Sequence, residues 1–366
     1  GQTHEVLYNF AAVEGGTYQL SDFTFKYMRQ GNSEYEEGLP VNAGTYNVTV
    51  SRPADNDYAK FEQTYTAVIT IDRAVRTLGA VEIEAADSGY TWVDLRLVGD
   101  GSIDDLSDKA TFTYTAVKTD GTLIFPDYTS TSADRDSLVT GLFPATQYIV
   151  TVKVTGDPNY RDAESTLEGA SVVTTLSAPT GNWADHADTS WYNSSLSEFT
   201  LTLASELAGL AKLVNNNTNF SGKTVKLGAD IDLLAYQWTP IGNSSYSFQG
   251  TFDGQNHTVK GMYADCAYSG LFGNIYSATV KNLTLQDSYT TTNQTDTGGI
   301  VAYARYRSRI ENCVVGKDVT VYSTVQDNNY NAGGVVGNCY DEVVVTGCVN
   351  WGTVYGVYHV GGIVGY

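Results

Sequence analysis

Two sets of residues in this 366-residue chain are of types that do chemistry. The first is acidic. Asp230 and Asp232 lie two apart in the alternating run Val225-Lys-Leu-Gly-Ala-Asp-Ile-Asp-Leu233, so on a strand both carboxylates point to one side, with Asp253 and Asp265 further along. Paired carboxylates roughly 5–9.5 Å apart are what glycoside hydrolysis needs, one protonating the leaving oxygen and the other acting on the opposite face of the sugar. Against that use, Asp253 precedes Gly254, where an Asp side chain stabilises a turn through its own backbone. The second set is aromatic: Tyr276, Tyr303, Arg305, Tyr306 and Tyr340 recur beside Asn274 and Asn338. Flat rings next to a guanidinium and amides can hold sugar rings or an extended peptide. Rings brought into a row can equally stack on each other for stability alone.

Other chemistries find no support. None of His4, His186, His257 and His359 belongs to a His-Glu-x-x-His pattern, and there is no Gly-x-Ser-x-Gly elbow or phosphate-binding glycine loop. Cys266, Cys313, Cys339 and Cys348 show no Cys-x-x-Cys spacing, so no zinc or redox centre is expected, and no cofactor.

What positions the tyrosines is a repeated phrase: Gly270-Leu-Phe-Gly273, Gly299-Ile-Val-Ala302, Gly334-Val-Val-Gly337 and Gly362-Ile-Val-Gly365, starting 29, 35 and 28 residues apart. A second element keeps step, since Asn282-Leu283, Asn312-Cys313 and Gly347-Cys348 follow their phrases by twelve, thirteen and thirteen residues. Units this short cannot bury a core alone, and their apolar runs are β-like, so they must stack as coils of a parallel β-helix, expected to be right-handed. Stacking brings Tyr276, Tyr303 or Tyr306, and Tyr340 into a ladder along one edge. It also sets Cys313 over Cys348 at roughly the 5 Å strand spacing, which permits a disulfide without requiring one. Right-handed β-helices host pectate lyases and polygalacturonases, so the fold itself raises a carbohydrate-active alternative.

Composition agrees. With 36 Gly and 27 Tyr, and few Met or Pro, the chain is rich in strand and turn formers and reads as all-β. No apolar run is long enough to span a membrane. The chain starts at Gly1 rather than Met, so the lack of a leader says nothing against secretion. Net charge is −20, of which residues 178–366, with nine basic and fifteen acidic residues, carry −6. Such a chain repels polyanions, which disfavours nucleic acid and acidic membrane faces as partners. A monomer is expected.

Three segments follow. Residues 1–74 read as a small β-sandwich, with Tyr46, Val48 and Val50, then Tyr65, Ala67, Ile69 and Ile71, facing inward at period two. The string Gly38-Leu-Pro-Val-Asn-Ala-Gly-Thr-Tyr-Asn-Val-Thr-Val50, followed by Asp55-Asn-Asp-Tyr58 and Ile69-Thr-Ile71, resembles the bacterial immunoglobulin-like MBG modules. That resemblance implies a spacer without catalytic residues. Residues 75–177 read as a second sandwich. Gly141-Leu-Phe-Pro-Ala-Thr-Gln-Tyr-Ile-Val-Thr-Val152 is similar to the strand-entry phrase of fibronectin type III domains; Tyr148 can anchor a corner through its hydroxyl, and Val150, Val152 and Val154 alternate into a core. Its Asp104, Asp105 and Asp108 read as a solvated loop rather than a calcium site.

Residues 178–366 are the repeat domain. Leu203-Ala-Ser-Glu-Leu-Ala-Gly-Leu-Ala-Lys-Leu-Val214 predicts a helix, with Ser205 as N-cap and Leu207, Leu210, Ala211 and Val214 as its apolar stripe. A solenoid's open end needs a cover, and this helix is expected to cap the first coil. Val225 to Leu233 is expected to form one early strand. Trp238-Thr-Pro-Ile-Gly242, Phe248-Gln-Gly-Thr-Phe-Asp-Gly254, His257-Thr-Val-Lys-Gly-Met262 and Gly270-Leu-Phe-Gly273 together resemble the lead-in to GLUG-motif repeats. Such repeats occur in large surface proteins of gut and other host-associated bacteria, including adhesin-like proteins and metallopeptidases whose protease is a separate domain. The later copies depart from the motif, Ala302 closing one phrase and Ile300 and Val335 replacing the Leu.

The expectation is therefore an extracellular, cell-surface, adhesin-like fragment whose β-helix binds a host or dietary glycan or a host protein, with the sandwiches as stalk and the native protein continuing past Tyr366. No catalysis is expected. A purely structural stalk and a carbohydrate-active lyase or hydrolase are the alternatives.

Overall fold

The computed structural model describes residues 23–35, 40, 42–52, 61–75, 82–98, 110–119, 128–132, 136–164, 171–326 and 330–366. Among the described residues the fold is all-β apart from one α-helix and a 3-10 turn at Trp183–His186, and the chain divides into two compact units. Asp55, Asn56, Asp57 and Tyr58, the acidic Asp104, Asp105 and Asp108, and His4 lie outside the described residues.

The first unit, residues 1–77, 105–111 and 154–163, contains an antiparallel sheet of Thr24–Arg29, Gly44–Arg52 and Phe61–Ile71 in that order. Alternation does what the sequence predicts in the middle strand, where Tyr46, Val48 and Val50 are buried against Tyr27. The side chains of Tyr65, Ala67, Ile69 and Ile71 lie outside the described set. The Tyr46 hydroxyl donates to the Asn42 carbonyl at 2.9 Å, so the buried phenol keeps its hydrogen bond.

The second unit holds residues 78–104, 112–153 and 164–366. Its N-terminal part is built from two sheets. One pairs Glu82–Ser88, Trp92–Val98 and Asp136–Thr140. The other includes Thr111–Lys118, Tyr128–Ser132, Gln147–Thr155 and Ser171–Thr174. Tyr114, Val150 and Val152 alternate into the core, and the Tyr148 hydroxyl accepts the Phe143 backbone N–H at 2.9 Å, the corner anticipated from sequence.

Residues 178–366 form a parallel β-solenoid of about five turns. Its longest sheet runs Glu198–Leu201, Thr224–Leu227, Thr251–Asp253, Thr279–Lys281, Arg309–Glu311 and Val344–Thr346, each strand in register with the next coil. Further sheets form the other sides of each coil, and one of them, Phe272–Tyr276, Val301–Arg305 and Val336–Tyr340, is the repeated phrase itself. Within that phrase the two central residues, such as Ile300 and Val301, point into the core. Its glycines are there because neighbouring coils come too close for a side chain: a Cβ on Gly299 would sit 2.5 Å from the Gly334 carbonyl oxygen. The second phase-locked element is a left-handed corner, since Asn282, Asn312 and Gly347 have φ of +53°, +53° and +64°. Those residue types tolerate that conformation best.

The helix spans Ala204–Asn215 with Leu203 at its N-cap, two residues earlier than the Ser205 cap predicts. Glu206 explains the shift, because its Oε2 accepts the Thr202 and Leu203 backbone N–H groups at 2.7 and 3.1 Å, supplying the cap from inside the helix. Leu207, Leu210, Ala211 and Val214 are buried in the same core as Phe199, Phe220 and Phe248 of the first coils. Each fully buried Leu or Val contributes about 1.5–3 kcal/mol, which is what makes a cap of this kind hold. The run from Val225 to Leu233 is not one strand but two, Thr224–Leu227 and Ile231–Asp232, in different sheets. The inward alternation survives at Val225, Leu227, Ile231 and Leu233, while the chain turns a corner at Gly228, Ala229 and Asp230.

Candidate functional site

Strand alternation splits the outer face of the Phe272–Tyr276, Val301–Arg305 and Val336–Tyr340 sheet into two rows. Ile275 and Ala304 turn inward, leaving Asn274, Tyr303 and Asn338 in one row and Tyr276, Arg305 and Tyr340 in the other. The tyrosine ladder expected from sequence is therefore broken in the middle, where Arg305 takes the rung between Tyr276 and Tyr340 and Tyr303 moves to the adjacent row. The reason is register: Tyr303 aligns with Asn274, two residues before Tyr276.

Tyr306 reaches the same surface from the corner that follows. It stacks on Tyr276 with ring centroids 5.0 Å apart and planes only 7° from parallel. Its backbone is held by its neighbours, its N–H donating to the Tyr340 carbonyl at 3.0 Å and its own carbonyl accepting from Ser277 N–H and Oγ at 3.1 Å each. Its φ is +49°, a costly conformation for a bulky residue. The Arg305 guanidinium lies 5.7 Å from the Tyr276 ring centre and 5.3 Å from that of Tyr303. Tyr306 is 40% exposed and Tyr340 63%, so the outer rings are open to solvent while Arg305 is half-buried between them.

Sequence reasoning missed the surroundings. Tyr268 stacks on Tyr303 at 6.1 Å, and Asp296, buried nearby, accepts the Asn331 N–H, Asn331 Nδ2 and Asn338 Nδ2. Burial, opposed by those bonds, raises the Asp296 carboxyl above the usual range. Burial also raises the Tyr268 and Tyr303 phenols. The loop Asn243 to Tyr246 interrupts the preceding rung between Ile241 and Phe248, which pair with Phe272 and Ile275, and forms one wall of the face through Asn274 Nδ2 donating to the Asn243 carbonyl. Ile241 and Phe248 are seven residues apart where their partners Phe272 and Ile275 are three apart, so this loop is a four-residue insertion.

Three of the four acidic candidates are engaged, while Asp265 is exposed on its strand. Asp230 accepts the Thr258 N–H at 2.9 Å and contacts His257 Nδ1 at 3.1 Å, and these bonds lower its pKa. Asp232 pairs with Lys260 at 3.3 Å. Asp253 accepts the Gln255 N–H, the turn role foreseen for it, and also bonds Asn282 Nδ2 at 3.0 Å and Lys281 at 3.3 Å. Despite burial, these contacts hold its carboxyl below the ordinary value. Among the described residues no group of three His, Cys, Asp or Glu side chains is placed to hold a metal.

A second tyrosine row occupies another side of the solenoid. Tyr263 pairs in register with Tyr289, and Tyr322 with Tyr355. Here the preceding sandwich covers the rings: Tyr90 meets Tyr263 edge-on at 5.2 Å, and Phe143 lies 4.9 Å from Tyr322 and 5.4 Å from Tyr355. Tyr90, Thr91 and Tyr355 hydroxyls donate to the carbonyls of Leu234, Asp318 and Gly141 at 3.0, 2.8 and 3.0 Å. This row is an intramolecular interface, whereas the Tyr276–Arg305–Tyr340 face is open.

No family model matches the chain, and no curated protein does. Among solved structures it is similar in fold to the FN1-FN3 domains of chicken CNTN1, with 11% identity, TM-score 0.23 and coverage of 42% of this chain and 53% of that one. A second likeness is to domains A168-A170 of titin, with 12% identity, TM-score 0.24 and coverage of 43% and 56%. The chain thus spans little more than half the length of those two structures. A third is to the family 28 exopolygalacturonase of Yersinia enterocolitica, with 9% identity, TM-score 0.21 and coverage of 77% and 85%.

Proposed function

We propose that this chain is part of an extracellular, surface-attached protein whose β-solenoid presents a ligand-binding face, and that the ligand is a glycan or a glycan-bearing surface protein of a host or its diet. The observation that carries the reading is the convergence of Tyr276, Tyr303, Arg305, Tyr306 and Tyr340 on one open sheet face. The exposed rings of Tyr306 and Tyr340 suit the apolar faces of pyranose rings, and amides and a guanidinium beside them suit the hydroxyls. The GLUG-like, MBG-like and fibronectin-like resemblances in the sequence support the same setting. The sandwich modules then serve as support, and no catalytic role is assigned to the engaged carboxylates Asp230, Asp232 and Asp253.

The competing reading is a purely structural stalk. It is favoured by the Tyr263–Tyr289–Tyr322–Tyr355 row, where tyrosines of the same solenoid serve only to seat a neighbouring module. A glycan array probed with the intact chain and with a Tyr303→Ala/Tyr306→Ala variant separates the two. Binding that falls in the variant supports the ligand face, and silence from both chains supports the stalk. Release of reducing or unsaturated sugar in the same wells would instead require a carbohydrate-active enzyme.

A further inference from the structure

We propose that the open face selects saccharides bearing a carboxylate, and that Arg305 is the residue that reads it; this rests on the glycan-binding reading above. Three arginines line this stretch of the solenoid, and two are already spent. Arg307 Nε lies 2.6 Å from Glu342 Oε2, and Arg309 Nη2 lies 2.6 Å from Glu311 Oε1. Arg305 has no carboxylate within ion-pair distance and donates no side-chain hydrogen bond to any of the described residues, and its Nε is buried without a partner. What it touches is aromatic: the ring faces of Tyr276 and Tyr303.

Ring faces satisfy the charge of a guanidinium but not its donors. The five N–H groups of Arg radiate in its own plane, while cation–π attraction acts through its face or its overall charge, so stacking leaves the fork unpaired. A half-buried guanidinium in that state is a preorganised donor site: the rings fix the plane, the flexible stem has lost its freedom already, and a planar carboxylate is the acceptor whose two oxygens match the fork. The carboxylate must arrive on a scaffold that fits the flanking surface, and that surface is the exposed rings of Tyr306 and Tyr340. A pyranose acid meets both demands. A long polyanion does not, because Asp341 and Glu342 stand beside Tyr340 in the next coil and the chain as a whole is strongly acidic. One acidic sugar at a defined position is therefore the ligand chemistry.

Uronic and sialic acids share this chemistry, and the test separates them. Titration calorimetry on the full chain would use glucuronate-terminated and sialate-terminated oligosaccharides, each beside its carboxyl-reduced counterpart. The expected result is that at least one acid binds roughly tenfold or more tightly than its reduced form. In Arg305→Gln that preference should fall to within about twofold, and Arg305→Lys, which keeps charge without the fork, should fall between. Tyr306→Ala should weaken acid and reduced forms alike and leave their ratio intact, with thermal melts confirming that every variant is folded. Equal binding of acid and reduced forms, still sensitive to Tyr306→Ala, would overturn the carboxylate preference while leaving the aromatic face as a glycan site. Binding of none of the four sugars would overturn both.

Discussion

The indole Nε1 of Trp92 donates to Asp287 Oδ1 at 2.6 Å, joining a sandwich strand to a solenoid corner across 195 residues of sequence. Burial raises the Asp287 pKa from 3.8 to about 6; the Trp92 hydrogen bond opposes this, Asp318 and Asp232 add to it, and Lys260 opposes it. Because the folded-state pKa lies above the unfolded one, the stabilisation from this group is fully present below about pH 4 and is lost as pH rises through about 6. Replacing Asp287→Asn keeps an oxygen for Trp92 and removes the charge. It should raise stability at pH 7.5 by on the order of 1–3 kcal/mol, with the gain gone at pH 4. Equal shifts in melting temperature at both pH values would show that Asp287 is not held against its charge.

The close approach of coils makes a second prediction. A Cβ on Gly337 would lie 2.5 Å from the Thr297 carbonyl oxygen and 2.6 Å from that of Ala302, with backbone on both sides unable to yield cheaply. Gly337→Ala should cost about 2–4 kcal/mol in urea unfolding. The same phrase position one coil earlier already carries a fully buried Ala302, so Ala302→Gly should cost only about 1 kcal/mol. A wild-type denaturation midpoint for Gly337→Ala would mean that the phrase glycines are not there for space.

These two cases mark what the sequence made legible and what it did not. The Gly phrases and the Asn282–Asn312–Gly347 corners were readable because each satisfies a local backbone demand that few residue types meet, so the demand leaves a periodic trace. The capping helix was readable from its stripe, but its start was not, because Glu206 caps from within rather than Ser205 from the edge. The five tyrosine-face residues were found together, yet Arg305 in the middle rung was not foreseen, since a two-residue shift of register decides which outward row a side chain joins. The Tyr263–Tyr289–Tyr322–Tyr355 row and the raised Asp287 were out of reach. Both depend on Tyr90, Trp92 and Phe143, whose distance along the chain leaves no pattern to read.

Cysteine reactivity offers a third prediction. Cys313 and Cys348 hold equivalent places on adjacent coils, next to the in-register pair Val314 and Val349, and both are free thiols. The Cys313 thiol shares its proton with Cys348, which lowers Cys348 to about 7 and pushes Cys313 up. Burial pushes Cys266 up to about 12 and Cys339 to about 11. At pH 8 iodoacetamide should therefore modify Cys348 first, with a rate that rises through a midpoint near pH 7 and is slowed at that pH by Cys313→Ala. Peptide mapping that finds Cys266 or Cys339 labelled before Cys348 would refute this order.

Phe143 provides a fourth. Its ring lies 4.9 Å from that of Tyr322 and 5.4 Å from that of Tyr355, and the Lys118 ammonium sits 4.6 Å from its centre. Phe143→Ala should therefore loosen the sandwich from the solenoid at a cost of about 3–5 kcal/mol while leaving the solenoid core of Phe248, Phe252 and Phe272 untouched. Amide exchange should speed up along Val319–Ser323 and Thr353–Tyr355 and stay protected in Thr251–Asp253. Unchanged protection in the first two strands would mean that the module is held mainly by the Tyr90 and Trp92 contacts.

Tyr306 sets stability against recognition most directly. A left-handed backbone costs a bulky L-residue about 1–2 kcal/mol, and the neighbouring coils place Ser277 and Asp341 at the equivalent corner with φ of +49° and +67°. Asn tolerates this conformation, so Tyr306→Asn regains most of that cost and loses a ring stack worth about 0.5–1.5 kcal/mol. The two terms nearly cancel, and the melting temperature should move little. Ligand affinity should nevertheless fall roughly tenfold, because the ring that Tyr276 braces from behind is the one a sugar would meet. If affinity instead survives Tyr306→Asn, the strain at this corner has no tie to binding, and the tyrosine stack belongs with the covered row on the other side of the solenoid as packing between coils.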